Sequence, residues 1–222
     1  MLPSTSFDEI EEEAMRAVVI EQGEYGRAAD LLDQMFRLRA RVFDGRLGWD
    51  VAVEEGREVD GYDDIGPTYV LAVNARGTVI GSVRLLPALG PNMLAHTFPQ
   101  LLATGRLDAH ARMIEASRFC VETSIGGVRR GQVLNDATLT LFAGVVDWSM
   151  RSSFDEIVMA TDVRFERILK RAHWPMRRLG EVTLIGNTPS VAGLLPANRV
   201  SFETVRPPRY VFSRLAPLSS AA

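Results

Sequence analysis

A tryptophan followed by clustered carboxylates is the feature of this sequence whose residue types could do chemistry. Trp49 stands alone in a polar stretch, and Glu58, Asp60 and Asp63 follow it closely. An indole face and nearby carboxylates both attract positive charge, so this segment predicts a pocket for a cationic ligand. The alternative is a tryptophan that fills the core beside acidic side chains that are simply solvated.

These residues belong to a longer pattern of charged and aromatic side chains. The pattern comprises Arg39, Phe43, Trp49, Glu58, Asp60, Asp63, Arg84, Phe98, Glu115 and Arg118. In its residue types and spacings it resembles the acyl-homoserine lactone synthases, the LuxI-type autoinducer enzymes. All ten family positions are filled over residues 39 to 118, whereas the C-terminal half carries no comparably sharp motif.

The resemblance implies both a fold and a reaction. The fold is α/β, a mixed central sheet sandwiched by helices and similar to that of the N-acetyltransferases, with a cleft where two central strands splay. In the reaction, the amino nitrogen of S-adenosylmethionine attacks an acyl thioester, and the methionyl carboxylate then displaces methylthioadenosine from its own γ-carbon. S-adenosylmethionine is thus a substrate, and no cofactor is expected.

Such a reaction needs a base, because the amine must lose a proton before it attacks. Glu115 is the predicted base. Ser117 lies two residues further on, hence on the same face of a regular strand, where it could polarise the thioester or orient a water. Arg84 is placed with them as a catalytic candidate, because either Arg84 or Arg118 can meet the carboxylate of the substrate.

The other matched residues are predicted to bind S-adenosylmethionine. Asp60 or Asp63 would attract its positive charge, and Trp49 with Phe43 would pack against its adenosyl portion. The family pattern adds three more residues to this set, which are Arg39, Phe98 and Arg118. For Arg39 and Arg118 a purely structural pairing is an equal alternative.

Charged residues of the pattern are expected to form one network that orders the segment from 41 to 67, since buried charges are costly unless paired. The predicted members are Arg39, Asp60, Asp63, Arg84, Glu115 and Arg118. Arg118 is three residues from Glu115 and would point the other way on an ideal strand unless a bulge intervenes. Cys120 is expected to be an inert buried residue, because the reaction needs no protein nucleophile.

The acyl side of the site is less defined by sequence. Candidates for an acyl tunnel are Val145, Trp148, Val158, Met159 and Ala160, although all could be ordinary core residues. The absence of a hydroxyl in Val-Met-Ala favours an unsubstituted chain. The resemblance implies acyl carrier protein as the favoured donor, because members of the family draw the acyl group from it more often than from coenzyme A, which is the alternative. Either acidic partner suits the basic residues Arg129, Arg130, Arg164, Arg167, Lys170, Arg171, Arg177 and Arg178.

The elements that must position these residues follow from periodicity and turn signals. Helical spacing predicts helices at about 25–41, 131–151 and 163–173, with a long irregular segment at 41–67. Runs rich in β-branched residues predict strands at 68–74, 78–86, 114–121 and 156–161, and near 177–186 and 199–214. We expect a loosely held lead-in over residues 1–22 and a single domain over 23–222, built on a mixed sheet.

Composition excludes several classes of protein. The chain of 222 residues has one cysteine and three histidines without metal-ligand spacing, so neither disulfides nor a metal are expected. No apolar run reaches the roughly 20 residues of a membrane span and the first residues are acidic, which indicates a cytoplasmic protein without membrane insertion. Residues 1–111 carry 10 basic and 18 acidic side chains, which argues against nucleic-acid binding.

Two alternative functions are considered beside the family resemblance. The first is an acetyltransferase that uses acetyl-CoA, but the glycine-rich turn of such enzymes has only one loose candidate, Arg129-Arg130-Gly131-Gln132, with the wrong spacing. The second is a non-catalytic module that senses a small ligand, which would not need Glu115. Neither alternative accounts for ten matched positions.

Overall fold

The computed structural model describes residues 15–122 and 135–214 of the chain. Within these ranges the strands are β1 (Arg16–Ile20), β2 (Val53–Glu54), β3 (Arg57–Glu58), β4 (Thr68–Val73), β5 (Val79–Pro87), β6 (Met113–Val121), β7 (Glu156–Asp162), β8 (Arg177–Arg178), β9 (Thr183–Ile185), β10 (Thr188–Pro196) and β11 (Val211–Arg214). The α-helices are α1 (Ala29–Ala40), α2 (Met93–His96), α3 (Asp136–Arg151), α4 (Val163–Arg171) and α5 (Arg199–Val205). No helix in the described ranges is long and apolar enough to cross a membrane.

One mixed sheet organises the molecule. Its strand order is β11-β1-β4-β5-β6-β7-β10-β8, with β9 paired to β10, while β2 and β3 form a separate small hairpin. The pairs β1–β11 and β6–β7 are parallel, and the other pairs of the sheet are antiparallel. This is the mixed sheet between helices that the sequence predicted.

Helices cover both faces of the sheet because residues alternate between two apolar layers along each strand. On one face, α3, α4 and α5 pack on Val70, Val83 and Ile157, among others. On the other face, α1 covers one part of the sheet around Leu71, and α2 covers another part around Val158. The region between these two smaller clusters is where the charged side chains gather.

The two central parallel strands separate soon after they meet. β6 and β7 pair only at Met113 with Glu156, Ile114 with Ile157 and Glu115 with Val158, although both strands continue for several residues. Beyond Glu115 the strands no longer share hydrogen bonds. The expected cleft between splayed strands therefore begins at Glu115.

The central strands lie where the sequence predicted them, whereas several other elements differ. The strand predicted near 177–186 is two short strands, β8 and β9. Residues 16–20 are not part of a loose lead-in; they form β1, a mostly buried strand between β4 and β11. The predicted strand at 199–214 is wrong at its start, because Asn198 accepts a hydrogen bond from the Ser201 nitrogen and so caps helix α5. Apolar and polar residues alternate at the start of this segment as they do in a strand. The alternation is misleading, since Val200 is 76% exposed.

β10 was not predicted, because Pro189, Gly193 and Pro196 look like turn residues. The two prolines lie near the ends of the strand. A Cβ at Gly193 would lie 2.4 Å from the Met176 sulfur, so this glycine admits a side chain packed across the strand. Helix α3 also starts later than predicted, at Asp136, since the Asn135 side chain caps it through the Thr138 nitrogen.

Candidate active site

A closed ring of alternating charges lies on the face of the sheet that α1 covers. Each of three arginines bridges two carboxylates and each of three carboxylates bridges two arginines, so the formal charges cancel. In order around the ring the ion pairs are Arg39–Glu58 (2.5 Å), Glu58–Arg118 (3.0 Å), Arg118–Asp60 (2.6 Å), Asp60–Arg84 (2.5 Å), Arg84–Asp63 (3.0 Å) and Asp63–Arg39 (2.8 Å). This pairing offsets the cost of burying the charges.

The ring holds an otherwise irregular segment against the sheet. Glu58, Asp60 and Asp63 come from the 41–67 segment, and their partners come from α1, β5 and β6. Tyr62 adds a second attachment, because its hydroxyl lies 2.8 Å from the hydroxyl of Thr97 just after α2. The predicted network is therefore present with Glu58 as a member in place of Glu115, and it ties this segment to the sheet.

Arg118 reaches the ring through a bulge, which the sequence made the condition for sharing a face with Glu115. The pairing of β5 with β6 shifts by one residue between Ser82–Cys120 and Arg84–Ser117, and Arg118 has a φ of 53°. This left-handed conformation costs a non-glycine residue about 1–2 kcal/mol. The bulge turns Arg118 to the same face as Glu115, so the strain is what brings the guanidinium to the site.

The inner side of the ring is fully occupied by its own contacts. Asp63 accepts hydrogen bonds from Arg39, Arg84, the Tyr69 hydroxyl and the Asp60 backbone nitrogen. Burial would raise the pKa of Asp63, but the Arg39 hydrogen bonds and the nearby arginine charges outweigh it and lower the pKa to about 2. Arg39 is also wholly buried, with Glu58 and Asp63 as its partners.

The outer side of the ring is open to solvent and carries the aromatic residues. The side chains of Asp60 and Arg118 are 21% and 12% exposed. The Phe43 and Trp49 rings stack with centroids 5.1 Å apart, and the Arg118 guanidinium lies 5.6 Å from the Phe43 ring. Trp49 is partly exposed, so a carboxylate and an indole are available at the same edge. This is the combination that attracts a cation.

A π-helical turn at Arg41–Arg46 places the two aromatic rings. It follows α1 directly, and the Trp49 nitrogen closes it by donating to the Phe43 carbonyl at 2.8 Å. π-Turns of this kind recur at functional sites. The segment predicted as irregular thus contains a short ordered turn at the point where it contributes to the site.

Glu115 is not a member of the ring, contrary to the prediction, because its carboxylate binds α2 instead. Its Oε1 accepts a hydrogen bond from the Leu94 nitrogen at 2.6 Å, in the first turn of that helix. Its Oε2 is buried and has no hydrogen-bond partner among the described residues. Burial raises the pKa of Glu115 above the usual glutamate value, although the backbone N–H groups of Leu94 and Met93 oppose the shift.

Ser117 and Arg84 connect Glu115 to the ring. The Arg84 Nε donates to the Ser117 hydroxyl at 3.2 Å, while its Nη1 binds Asp60 and Asp63. Ser117 and Glu115 share a face of β6, as predicted. The three catalytic candidates therefore lie side by side at the start of the cleft.

Phe98 lies apart from the ring. It packs on the apolar cluster that contains Leu94, Leu101 and Val158, beside the cleft rather than beside Trp49. Cys120 is buried and lies 3.3 Å from the Ser82 hydroxyl, and burial raises the pKa of its thiol to about 11. That raised pKa fits the inert residue that the sequence predicted.

The candidates for the acyl tunnel do not share one surface. Val145 and Trp148 of α3 belong with Met159 to the apolar layer between α3 and the sheet, whereas Val158 faces the opposite side of the sheet with Phe98. Neighbouring residues of a strand point to opposite faces, so Val158 and Met159 cannot line the same tunnel along a regular β7. The Trp148 indole nitrogen also donates a hydrogen bond to the Glu21 carboxylate, and the Trp148 ring stacks on Phe154.

Three residues near the site were missed by the sequence reasoning. Tyr69 binds Asp63, the Tyr62 ring lies 5.4 Å from the Arg84 guanidinium, and the Met93 sulfur accepts from Arg84 and Arg118. None lies at a position of the family pattern. Of these three residues, only Tyr69 could have been recognised from the sequence, because it stands near the start of a strand that was predicted to be buried.

Basic side chains of the second half are concentrated on α4. Arg164, Arg167, Lys170 and Arg171 are exposed there. Arg178 is instead paired with Glu166 through two hydrogen bonds of 2.6 and 2.7 Å. Arg129 and Arg130, and the loose Gly131 motif, lie outside the described residues.

A mixed sheet that opens between two parallel strands defines the fold class of the N-acetyltransferases. The fold is similar to that of a protein assigned as an N-acetyltransferase from Lactobacillus plantarum, at 14% identity and a TM-score of 0.53 over 82% of this chain and 99% of that one. The profile of the autoinducer synthase family matches residues 24–205. This chain belongs to the autoinducer synthase family.

Curated and solved relatives agree with this assignment. An acyl-homoserine-lactone synthase from Agrobacterium fabrum is 58% identical over 88% of this chain and 93% of its own length. The AHL synthase LasI is 31% identical with a TM-score of 0.74, over 86% of this chain and 94% of that one. BjaI, a CoA-dependent acyl-homoserine lactone synthase solved with SAM and isopentyl-CoA, is 25% identical with a TM-score of 0.78, over 91% and 94%.

Proposed function

We propose that this chain makes an N-acyl-homoserine lactone from S-adenosylmethionine and an acyl thioester. In the first step the substrate amine attacks the thioester carbonyl carbon, the carbon–sulfur bond breaks, and the thiol carrier leaves. In the second step the substrate carboxylate attacks the γ-carbon, the bond to the sulfonium sulfur breaks, and neutral methylthioadenosine leaves. The ammonium group loses two protons overall, one to the thiol and one to solvent through the base.

The position of Glu115 is the observation that carries the proposal. It stands where β6 and β7 part, with one oxygen fixed by the Leu94 nitrogen and the other unpartnered among the described residues. A base must lie within hydrogen-bond reach of the proton that it removes. The unpartnered oxygen supplies that function, and Ser117 beside it orients the thioester carbonyl or a water.

The open side of the charged ring supports a site for S-adenosylmethionine. Its sulfonium would lie near Asp60 and its adenosyl portion against Trp49, because both groups are partly exposed at that edge. Asp63 and Arg39 contribute by holding the ring together. Since the closing step forms no charge that the protein must stabilise, holding the carboxylate in line behind the leaving group is the main requirement.

The acyl chain is proposed to lie on the face of the sheet that carries Glu115. Val158 is paired in register with Glu115 and faces the same side, next to the apolar residues Leu94, Phe98, Ala160 and Leu194. An acyl group bonded to the amine near Glu115 reaches this cluster directly. Val145 and Trp148 lie behind the sheet, so they are not part of this proposal.

Acyl carrier protein is the proposed donor, with acyl-CoA as the alternative. The exposed basic side chains of α4 support an acidic docking partner, because complementary charge accelerates and orients association. Coenzyme A phosphates would need fewer of these contacts. The two donors are therefore separable by their dependence on the α4 charges.

The deciding experiment is a reaction of the purified chain with S-adenosylmethionine and a panel of acyl thioesters on both carriers, followed by mass spectrometry. We expect an acyl-homoserine lactone and methylthioadenosine in equal amounts with at least one donor. The Glu115→Gln protein, which keeps an oxygen for the Leu94 nitrogen, is the matched control for background aminolysis. A lack of methylthioadenosine with every donor would contradict the proposal.

A further inference from the structure

Tyr62 spans the space between the charged ring and helix α2. Its backbone nitrogen donates to the Asp60 carboxylate at 2.9 Å, so its main chain is fixed to the ring. Its aromatic ring lies 5.4 Å from the Arg84 guanidinium, and its hydroxyl is 2.8 Å from the Thr97 hydroxyl. Tyr62 is therefore attached at one end to the charged ring and at the other end to the residue that follows α2.

Helix α2 depends on such contacts for its position. It is a single turn of four residues, and a helix this short has no stability of its own. At its start, Glu115 accepts from the Leu94 nitrogen. At its end, the Thr97 nitrogen donates to the Met93 carbonyl at 2.8 Å. The hydroxyl that meets Tyr62 thus belongs to the same turn as the nitrogen that holds Glu115.

A shift of α2 would act directly on Glu115. The Leu94 nitrogen holds one of its carboxylate oxygens, and the other oxygen is the one proposed to take the proton. Both oxygens belong to one rigid group, so they turn together. A base must be held close to its best geometry, because a displacement of about 1 Å costs up to about a hundredfold in rate.

The same helix affects the charge of Glu115. Burial raises the pKa of Glu115, whereas the N–H groups of Leu94 and Met93, the charge of Arg84 on β5 and the Ser117 hydroxyl lower it. The neighbouring strand β7 presents an apolar side chain to the carboxylate. Loosening α2 would weaken the N–H contacts and leave the other groups in place, so the pKa would rise further.

We propose that Tyr62 is a positioning residue: its hydrogen bond to Thr97 holds α2 where that helix aims Glu115 at the substrate amine. This inference rests on the proposed function and goes beyond it, because it assigns a role to a residue outside the family pattern. Tyr62 stands between two carboxylates of the charged ring. The segment proposed to bind S-adenosylmethionine and the helix that orients the base are therefore fixed to each other.

The test removes this hydrogen bond from each side. Tyr62→Phe keeps the aromatic ring beside Arg84 and loses the hydroxyl, and Thr97→Val loses the partner hydroxyl. In each variant we expect kcat to fall about two- to tenfold, the range of one hydrogen bond, with both KM values within about twofold. The double variant should be no slower than the slower single variant, because both changes break the same contact. Tyr210→Phe, which removes a hydroxyl bonded to Asp147 of α3, is the control and should keep the wild-type rate.

Two further readouts separate positioning from a loss of stability. The rise of activity with pH that is due to Glu115 should move to higher pH in Tyr62→Phe and in Thr97→Val, since weaker N–H contacts raise the pKa of Glu115. In a Glu115→Gln background, adding Tyr62→Phe should change the remaining rate by less than about twofold, because the base that it positions is absent. Thr97→Ser keeps the hydroxyl and should retain most of the wild-type rate.

Tyr62 is partly exposed and Thr97 is exposed, so these substitutions are not expected to unfold the protein. An unchanged kcat or an unchanged pH profile in the single variants would overturn the inference. So would effects that multiply in the double variant or that persist in full in the Glu115→Gln background. Wild-type lactone synthesis in the same assays shows that the proposed function stands even if the role of Tyr62 does not.

Discussion

Glu115 accepts a hydrogen bond at 2.6 Å from the backbone nitrogen of Leu94, which fixes one carboxylate oxygen, while the other oxygen is buried and has no hydrogen-bond partner among the described residues. The same contact caps α2, the helix that covers the apolar cluster around Val158. This helix and the proposed base are therefore joined to each other by one hydrogen bond. An N-terminal helix turn favours an anion, whereas burial disfavours it. Glu115 thus combines a defined orientation with a raised pKa.

Replacing Glu115 by glutamine should separate activity from stability. We expect kcat to fall by about 10²–10⁴-fold, the usual contribution of a general base. The melting temperature at neutral pH should be equal or higher, because a buried carboxylate with a raised pKa destabilises the fold at pH values above that pKa. Kinetics and thermal denaturation of the same preparation measure both, and retained lactone synthesis would reject Glu115 as the base.

The pH dependence of the wild type should carry the signature of the same group. A base works only when ionised, so activity should rise through the pKa of Glu115, which burial places above that of an exposed glutamate. The substrate amine adds its own rise with pH. The pH–activity profile of Glu115→Gln shows which part of the rise in activity is due to Glu115. Only the rise caused by deprotonation of the substrate amine should remain in this variant.

Breaking the ring at its inner side should cost stability. Asp63→Asn leaves the buried Arg39 without its two-oxygen partner, and we expect a loss of about 3 kcal/mol or more in the free energy of unfolding. Asp64→Asn is the matched control, since Asp64 is the exposed neighbour and should change stability by less than about 0.5 kcal/mol. Urea denaturation distinguishes the two, and equal effects would show that the ring contributes nothing specific.

The contribution of Asp63 should also disappear in acid. Its pKa of about 2 lies below the unfolded value, so its stabilisation is present above about pH 4 and is lost as the pH falls toward 2. The difference in the free energy of unfolding between wild type and Asp63→Asn should therefore narrow as the pH falls. Urea denaturation at pH 7, 5, 4 and 3 measures it. A gap that stays constant to pH 3 would mean that the pKa of Asp63 is not linked to folding.

Replacement of Trp49 should change the KM for S-adenosylmethionine and not the KM for the acyl donor. We expect Trp49→Ala to raise the KM for S-adenosylmethionine about 5- to 150-fold, the range of a base stacked on an aromatic side chain, with little change in the KM for the acyl donor. Trp49→Phe keeps a ring against Phe43 and should restore most of the affinity. Equal increases in both KM values would point to general disorder of the 41–67 segment instead.

Charge reversal on α4 should reveal the donor. The pair Arg164→Glu and Arg171→Glu is expected to raise the KM for acyl carrier protein about tenfold or more at low salt, and to leave acyl-CoA within about twofold. Arg209→Glu, an exposed arginine just before β11 at the opposite edge of the sheet, is the control. A larger effect on acyl-CoA would favour coenzyme A as the donor.

Sequence alone determined the family and the central strands that carry the residues of its pattern. The strands at β4, β5 and β6 were predicted within one residue at each end, because turn signals and β-branched runs are local properties. The spacing from Arg39 to Arg118 identified the family, and it also indicated that Arg118 needs a bulge to share a face with Glu115. The strand predictions use only residues close together in the chain. The family assignment compares the spacing of ten residues with the pattern of the family.

Tertiary structure decided which side chains meet. Asp60 and Asp63 look equivalent in the sequence, yet the fold buries Asp63 against Arg39 and exposes Asp60 beside Arg118. Likewise, the pleat of β7 puts Val158 on the face of Glu115 and Met159 on the other, which moved the acyl surface away from Val145 and Trp148. The contact of Met93 with two arginines had no local signal. Each result depends on long-range pairing, whose register and face are fixed only when the strands and helices pack together.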